Sequence, residues 1–97
     1  MIVDYNNLQG YGRPEDICSF HSLAEKWKAF GWHVVEVDGH DHKALQYAMT
    51  ESSHGKPRAV IARTIKGKGV PFMEDELVWH YYIVTEEIRE QALEALR

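Results

Sequence analysis

The sequence is poor in cysteine: Cys18 stands alone, so no disulfide can form within the chain, and a reducing compartment suits it. It lacks any apolar run near the roughly 18 residues of a membrane span. It also lacks the charged-then-apolar opening of a secretion signal. These absences make the cytoplasm the expected location and argue against a membrane partner. Nor does it carry a long stripe of Lys and Arg. With 11 basic and 15 acidic residues the net charge is −4, which argues against binding nucleic acid or an anionic lipid surface. What is present is ordinary for a globular protein: 97 residues, 44% hydrophobic and 27% charged, enough for one small domain with a modest core.

The apolar pattern alternates between the periods of strand and helix. Ile2 to Tyr5 reads as a strand, followed by a polar loop from Asn6 to Asp16 punctuated by Gly10, Gly12 and Pro14. Ser22 and Glu25 have the spacing of a capping box. Leu23, Trp27 and Phe30 then form one helical stripe, and Gly31 ends it. Trp32 to Val37 is a β-branched second strand. Asp41 caps a second helix from His42 to about Met49, with Ala44, Leu45, Ala48 and Met49 inward. Arg58 to Arg63 is the third strand. Residues 72 to 84 have no clear period, and Thr85 can cap a last helix from Glu86 to about Leu96 with Ile88, Ala92 and Leu96 on one face.

This order predicts an α/β fold: a parallel β-α-β-α-β arrangement with helices packed on the sheet and right-handed crossovers. Three parallel strands leave two open edges, and a strand that begins at residue 2 invites a neighbour. The expectation is therefore an incomplete domain, with part of its sheet supplied from elsewhere.

Ligands in open α/β sheets bind beyond the carboxyl ends of the strands. Three segments fall there. Asn6 and Asn7 offer hard oxygen donors of the kind Mg²⁺ takes, although an Asn pair alone is more commonly a polar turn. His40 and His42, with Asp38 and Asp41, suggest a metal cluster, but their spacing does not aim both imidazoles at one point, and a turn with a helix cap is the commoner reading. Lys66-Gly67-Lys68-Gly69 could attract phosphate, but it lacks the ending of a Walker loop and reads as a flexible basic loop. His80, after Trp79, could contact phosphate or move a proton, against the commoner case of a packed or solvent-facing histidine.

Taken in order, the pieces are more specific. Ile-Val-Asp-Tyr-Asn-Asn-Leu-Gln, Ala29-Phe30-Gly31-Trp32-His33-Val34, Val37-Asp38-Gly39-His40-Asp41, Thr64-Ile65-Lys66-Gly67-Lys68-Gly69-Val70 and Trp79-His80 together resemble transketolase. The likeness is to the split bacterial form, whose diphosphate-binding region is a separate N-terminal subunit, and residues 1–97 look like the C-terminal part of that region.

The resemblance implies a thiamine-diphosphate fold that moves a two-carbon ketol unit between sugar phosphates, with thiamine diphosphate supplying the ylid and Mg²⁺ bridging the diphosphate. It implies Asn6 as a metal and cofactor ligand, the Leu8 carbonyl as a second metal ligand, and His80 as the catalytic histidine on the diphosphate and substrate side. As for partners, it implies homodimerisation and a C-terminal transketolase subunit. Two departures stand out: the Gly-Asp-Gly segment that carries the acidic Mg²⁺ ligand is absent, and Tyr81 replaces the glycine that follows the histidine. The chain alone is therefore expected to be inactive. The alternatives are a non-catalytic remnant or interaction module, and a piece of another thiamine-diphosphate enzyme such as deoxyxylulose-phosphate synthase.

Overall fold

The computed structural model describes residues 1–19 and 21–97. In chain order the elements are β1 (Ile2–Tyr5), α1 (Pro14–Ile17), α2 (Leu23–Ala29), β2 (His33–Asp38), α3 (His42–Thr50), β3 (Arg58–Arg63), a 3₁₀ turn (Leu77–His80) and α4 (Glu86–Ala95). The three strands form one parallel sheet in the order β1-β3-β2, with Val3 opposite Ile61 and Val35 opposite Val60. The α/β class and the parallel sheet thus agree with the sequence pattern.

The strand order explains where the helices go. The chain steps across the sheet from β1 to β2, then reverses to insert β3 between them. Right-handed crossovers taken in opposite directions put their helices on opposite faces. Side chains alternate along a strand, so Val3, Tyr5, Ile61 and Arg63 share one face, while Ile2, Val60, Val35 and Arg58 share the other. On the first face α2 packs through Trp27, whose ring meets Trp32 edge-on at 4.8 Å. On the second, α3 is pinned at its end: His33 Nε2 lies 2.9 Å from Glu51 Oε1, and the Arg58 guanidinium donates to the carbonyls of Met49 and Glu51. His33 holds the Glu51 carboxyl below the usual range.

Being central, β3 carries the core. Ala59, Val60, Ile61 and Ala62 are buried, joined by Ala24, Ala48 and Val70. Each fully buried Val or Ile contributes about 1.5–3 kcal/mol through removal from water. The outer strands are far less covered; Ile2 on β1 is 56% exposed. Among the described residues no helix is long and apolar enough to cross a membrane.

Several local expectations are corrected. Ser22 precedes α2 in the left-handed region (φ 60, ψ 39) and makes no side-chain cap. An N-cap takes extended backbone angles, which the left-handed entry denies it, and Glu25 instead pairs with Lys28 at 2.7 Å. Phe30 does not join the α2 stripe. The helix ends at Ala29, so helical spacing no longer applies, and Phe30 is 80% exposed. Gly31 ends the helix as expected, at φ +85. The segment read as a continuous polar loop contains α1, opened by the buried Pro14 and followed by Glu15 and Asp16 in its first turn. In α3 the inward side is Ala44, Leu45 and Ala48, while Met49 is exposed; in α4 Ile88 and Ala92 are half-buried and Leu96 is exposed. Asp41 and Thr85 cap α3 and α4 as expected.

Candidate functional site

β1 and β3 end side by side, and their last residues are locked together. Thr64 donates its N–H to the Tyr5 carbonyl at 3.2 Å, and its hydroxyl donates to the Asp4 carboxylate. The Arg63 guanidinium lies 4.2 Å from the Tyr5 ring centroid and pairs with Glu36 at 2.6 Å. That pairing raises the Arg63 pKa and keeps a fixed positive charge at this end of the sheet.

Directly beyond Tyr5 the chain turns. Asn6 Oδ1 accepts the Leu8 N–H at 3.0 Å, a side-chain-closed turn of the kind Asn favours. Asn7 sits at φ 58, a left-handed conformation that Asn tolerates better than most residues. The two residues expected to ligate Mg²⁺, Asn6 and Leu8, are therefore brought onto one turn. An amide oxygen has a second lone pair, and the Leu8 carbonyl accepts no hydrogen bond among the described residues. The donor set is two neutral hard oxygens, which fits part of an octahedral Mg²⁺ shell and leaves its charge to be met by other ligands.

A cavity of about 260 Å³ opens beside this turn, lined by apolar residues including Val3, Leu8, Leu23 and Trp27 together with Asn6 and Asn7. Asn7 Oδ1 and Gln9 Nε2, on the same turn, are buried with no hydrogen-bond partner among the described residues.

The Lys66-Gly67-Lys68-Gly69 loop follows Thr64 and is not the flexible segment its composition suggested. Ile65 donates its N–H to His40 Nε2 at 2.8 Å. Gly69 donates to Glu74 Oε1 at 2.9 Å, and Lys68 pairs with the same carboxylate at 3.7 Å. The Gly69 N–H, with Lys68 behind it, lowers the Glu74 pKa. Asp75 donates its N–H to the Lys66 carbonyl at 3.0 Å, and its carboxylate is held by Arg13 at 2.6 Å, which lowers its pKa. Glycine composition alone read as mobility here, whereas contacts from distant residues brace the loop.

The Asp38 to Asp41 turn is structural. Asp38 Oδ1 accepts the His40 N–H at 2.8 Å, and Asp41 Oδ1 accepts from Lys43 and Ala44 at 2.8 and 3.1 Å. Both carboxylates are thus engaged by backbone.

His80, the third candidate, lies on a different element. It ends the 3₁₀ turn, is exposed, and makes no side-chain hydrogen bond or ion pair among the described residues. Its ring lies 6.3 Å from that of Tyr81. Tyr81 donates its hydroxyl to the Gly10 carbonyl at 2.7 Å, in the loop that follows the Asn6–Leu8 turn. This bridge, the Arg13–Asp75 pair and the His40–Ile65 bond link residues far apart in sequence, and no local pattern signals them.

Comparison with known proteins identifies the family. A family profile described as transketolase, thiamine diphosphate binding domain, matches residues 1–93. Among curated relatives, the chain is 39% identical over 97 residues to the 6-deoxy-6-sulfo-D-fructose transketolase subunit SqwG of Clostridium sp. (strain MSTE9), covering 98% of this chain and 35% of the relative. It is 36% identical over 94 residues to an apulose-4-phosphate transketolase subunit of Phocaeicola vulgatus, covering 95% of this chain and 34% of the relative. The crystal structure of transketolase from Campylobacter jejuni superimposes with a TM-score of 0.85 at 26% identity, covering 98% of this chain and 15% of that one. The chain thus spans 35% and 34% of the length of the two curated relatives. With its parallel sheet and this match over nearly every residue, the chain belongs to the transketolase thiamine diphosphate binding domain family.

Proposed function

We propose that the chain forms part of a transketolase, an enzyme that transfers a two-carbon ketol unit between sugar phosphates, and that it contributes to the thiamine diphosphate and Mg²⁺ site. The observation that carries this reading is the turn after β1, where Asn6 Oδ1 and the Leu8 backbone share one loop beside a cavity of about 260 Å³. Thiamine diphosphate, when bound, supplies the carbanion chemistry of ketol transfer, and the protein supplies binding and orientation. Asn6 and the Leu8 carbonyl would hold Mg²⁺, and His80 would serve the diphosphate and substrate side. Two neutral ligands do not meet the charge of a hard dication, so an acidic ligand is needed from outside these residues. The chain alone is accordingly proposed to be inactive and to work with a C-terminal transketolase subunit in a dimeric assembly. The subunit names of its relatives support such a division of labour.

One observation favours a second reading, a binding module without activity. A Cβ on Gly10 would lie 2.5 Å from the Tyr81 hydroxyl, so Tyr81 leans over the loop that carries the ligands. Co-expression with a C-terminal transketolase subunit, followed by a ketol-transfer assay with thiamine diphosphate and Mg²⁺, separates the two. Turnover that requires this chain and falls when Asn6→Ala is introduced supports the enzyme. Complex formation without turnover supports the module.

A further inference from the structure

We propose that His40 is a proton-sensitive positioning residue that fixes the start of the Lys66–Gly69 loop. The placement begins at the end of β2. Gly39 donates its N–H to the Arg63 carbonyl at 2.7 Å, and Asp38 Oδ1 takes the His40 N–H at 2.8 Å. The turn lies flush against β3: a Cβ on Gly39 would stand 3.1 Å from both Ala62 Cβ and the Arg63 carbonyl oxygen, besides meeting Thr64. The imidazole is thereby delivered to Ile65, the first residue beyond those tied to β1, and Nε2 accepts its N–H at 2.8 Å.

An accepting Nε2 needs its lone pair, so the single ring proton is on Nδ1. A doubly protonated imidazole has two donors and no acceptor, so protonation turns this contact from attraction into N–H against N–H. No neighbouring charge restores the acceptor that Ile65 loses. Asp38 and Asp41 accept backbone N–H groups, Arg63 is paired with Glu36, and Lys68 with Glu74, whose carboxylate interacts with His40 through space only; none forms an ion pair with His40 among the described residues. The far end of the loop has a different anchor, Glu74 accepting from Gly69. The loop therefore has one anchor that fails when an imidazole charges and one that survives until a carboxylate is neutralised. The brace belongs to the chain itself and does not rest on the cofactor reading.

Amide hydrogen exchange by NMR on the 97-residue chain tests this, with protection factors corrected for the intrinsic effect of pH. In the wild type, Ile65 protection drops about fivefold to tenfold with the same midpoint as the His40 ring proton shift, while Val60 and Ile61 stay protected. His40→Gln, which keeps an acceptor near the Nε2 position but does not titrate, retains protection with no step in that range. His40→Ala lacks protection at Ile65 at every pH. Ile65 protection that ignores the His40 titration, or a step that persists in His40→Gln, overturns the proposal. Should His40→Ala also lose protection at Val60 and Ile61, the wild-type and His40→Gln profiles decide alone.

Discussion

Gly67 allows a prediction in which two physical effects can be separated. It stands at φ +72, and a Cβ there would lie 2.5 Å from the Met73 carbonyl oxygen and 2.7 Å from its carbonyl carbon. Gly31 has a similar backbone, φ +85, with nothing among the described residues within 4 Å of the same position. Gly31→Ala therefore carries only the left-handed penalty, about 1–2 kcal/mol. Gly67→Ala carries that penalty plus a steric one against backbone that cannot rotate aside, about 1–3 kcal/mol more. Urea unfolding followed by circular dichroism reads both. With a slope of about 1–3 kcal/mol per molar for a domain of this size, the Gly67→Ala midpoint should fall below that of Gly31→Ala by roughly 1 M. Equal destabilisation, within about 0.5 kcal/mol, would refute the claim that the loop is packed against Met73.

Further predictions follow from the core, the caps and the charges. Ile61→Ala, at a fully buried position in the central strand, should cost about 2–5 kcal/mol in the same unfolding assay, and a loss under about 1 kcal/mol would contradict the placement of the core. Asp41→Ala removes the acceptor for two N–H groups of α3 and should cost about 0.5–2 kcal/mol, with Asp41→Asn close to neutral. The carboxyls of Glu51, Glu74 and Asp75 have folded pKa values lowered by His33, the Gly69 N–H and Arg13. Their stabilisation is therefore complete above the unfolded carboxylate values, about 4, and is lost as pH falls through the lower folded values. The urea midpoint should decline on acidification through that window, and Glu74→Gln should flatten the decline. Calorimetric titration of the chain by itself with Mg²⁺ and thiamine diphosphate should show no micromolar binding, because Asn6 and Leu8 bring no negative charge to the metal.

What could be read from the sequence was set by local physics. The β-branched run Val34, Val35, Val37 and the segment Arg58 to Arg63 could be placed as strands because their periods and flanking turns are local properties. The Asp41 and Thr85 caps depend only on residues within one helical turn. The strand order β1-β3-β2 depends on which strands meet across the chain, and no local pattern carries that. Ser22 shows the limit from the other side: its spacing to Glu25 suits a capping box, but its own left-handed backbone is not that of a capping residue. At the candidate site, Asn6 and Leu8 lie two positions apart, so their meeting is local. His80, far along the chain, could be picked out only by resemblance, and its exposure at the end of the 3₁₀ turn depends on the path of the intervening segment. The bracing of Lys66 to Gly69 by His40 and Glu74 was hidden because glycine content reports what a backbone can do, not what its neighbours allow.

The central claim, that the turn after β1 helps to hold Mg²⁺ and the diphosphate, is tested most directly by calorimetry on the assembly of this chain with its transketolase partner. Thiamine diphosphate should bind in the presence of Mg²⁺, lose most of its affinity when Mg²⁺ is omitted, and weaken about 10- to 100-fold in Asn6→Ala with Mg²⁺ present. Binding that is equally tight without Mg²⁺, or unchanged in Asn6→Ala, would contradict the account.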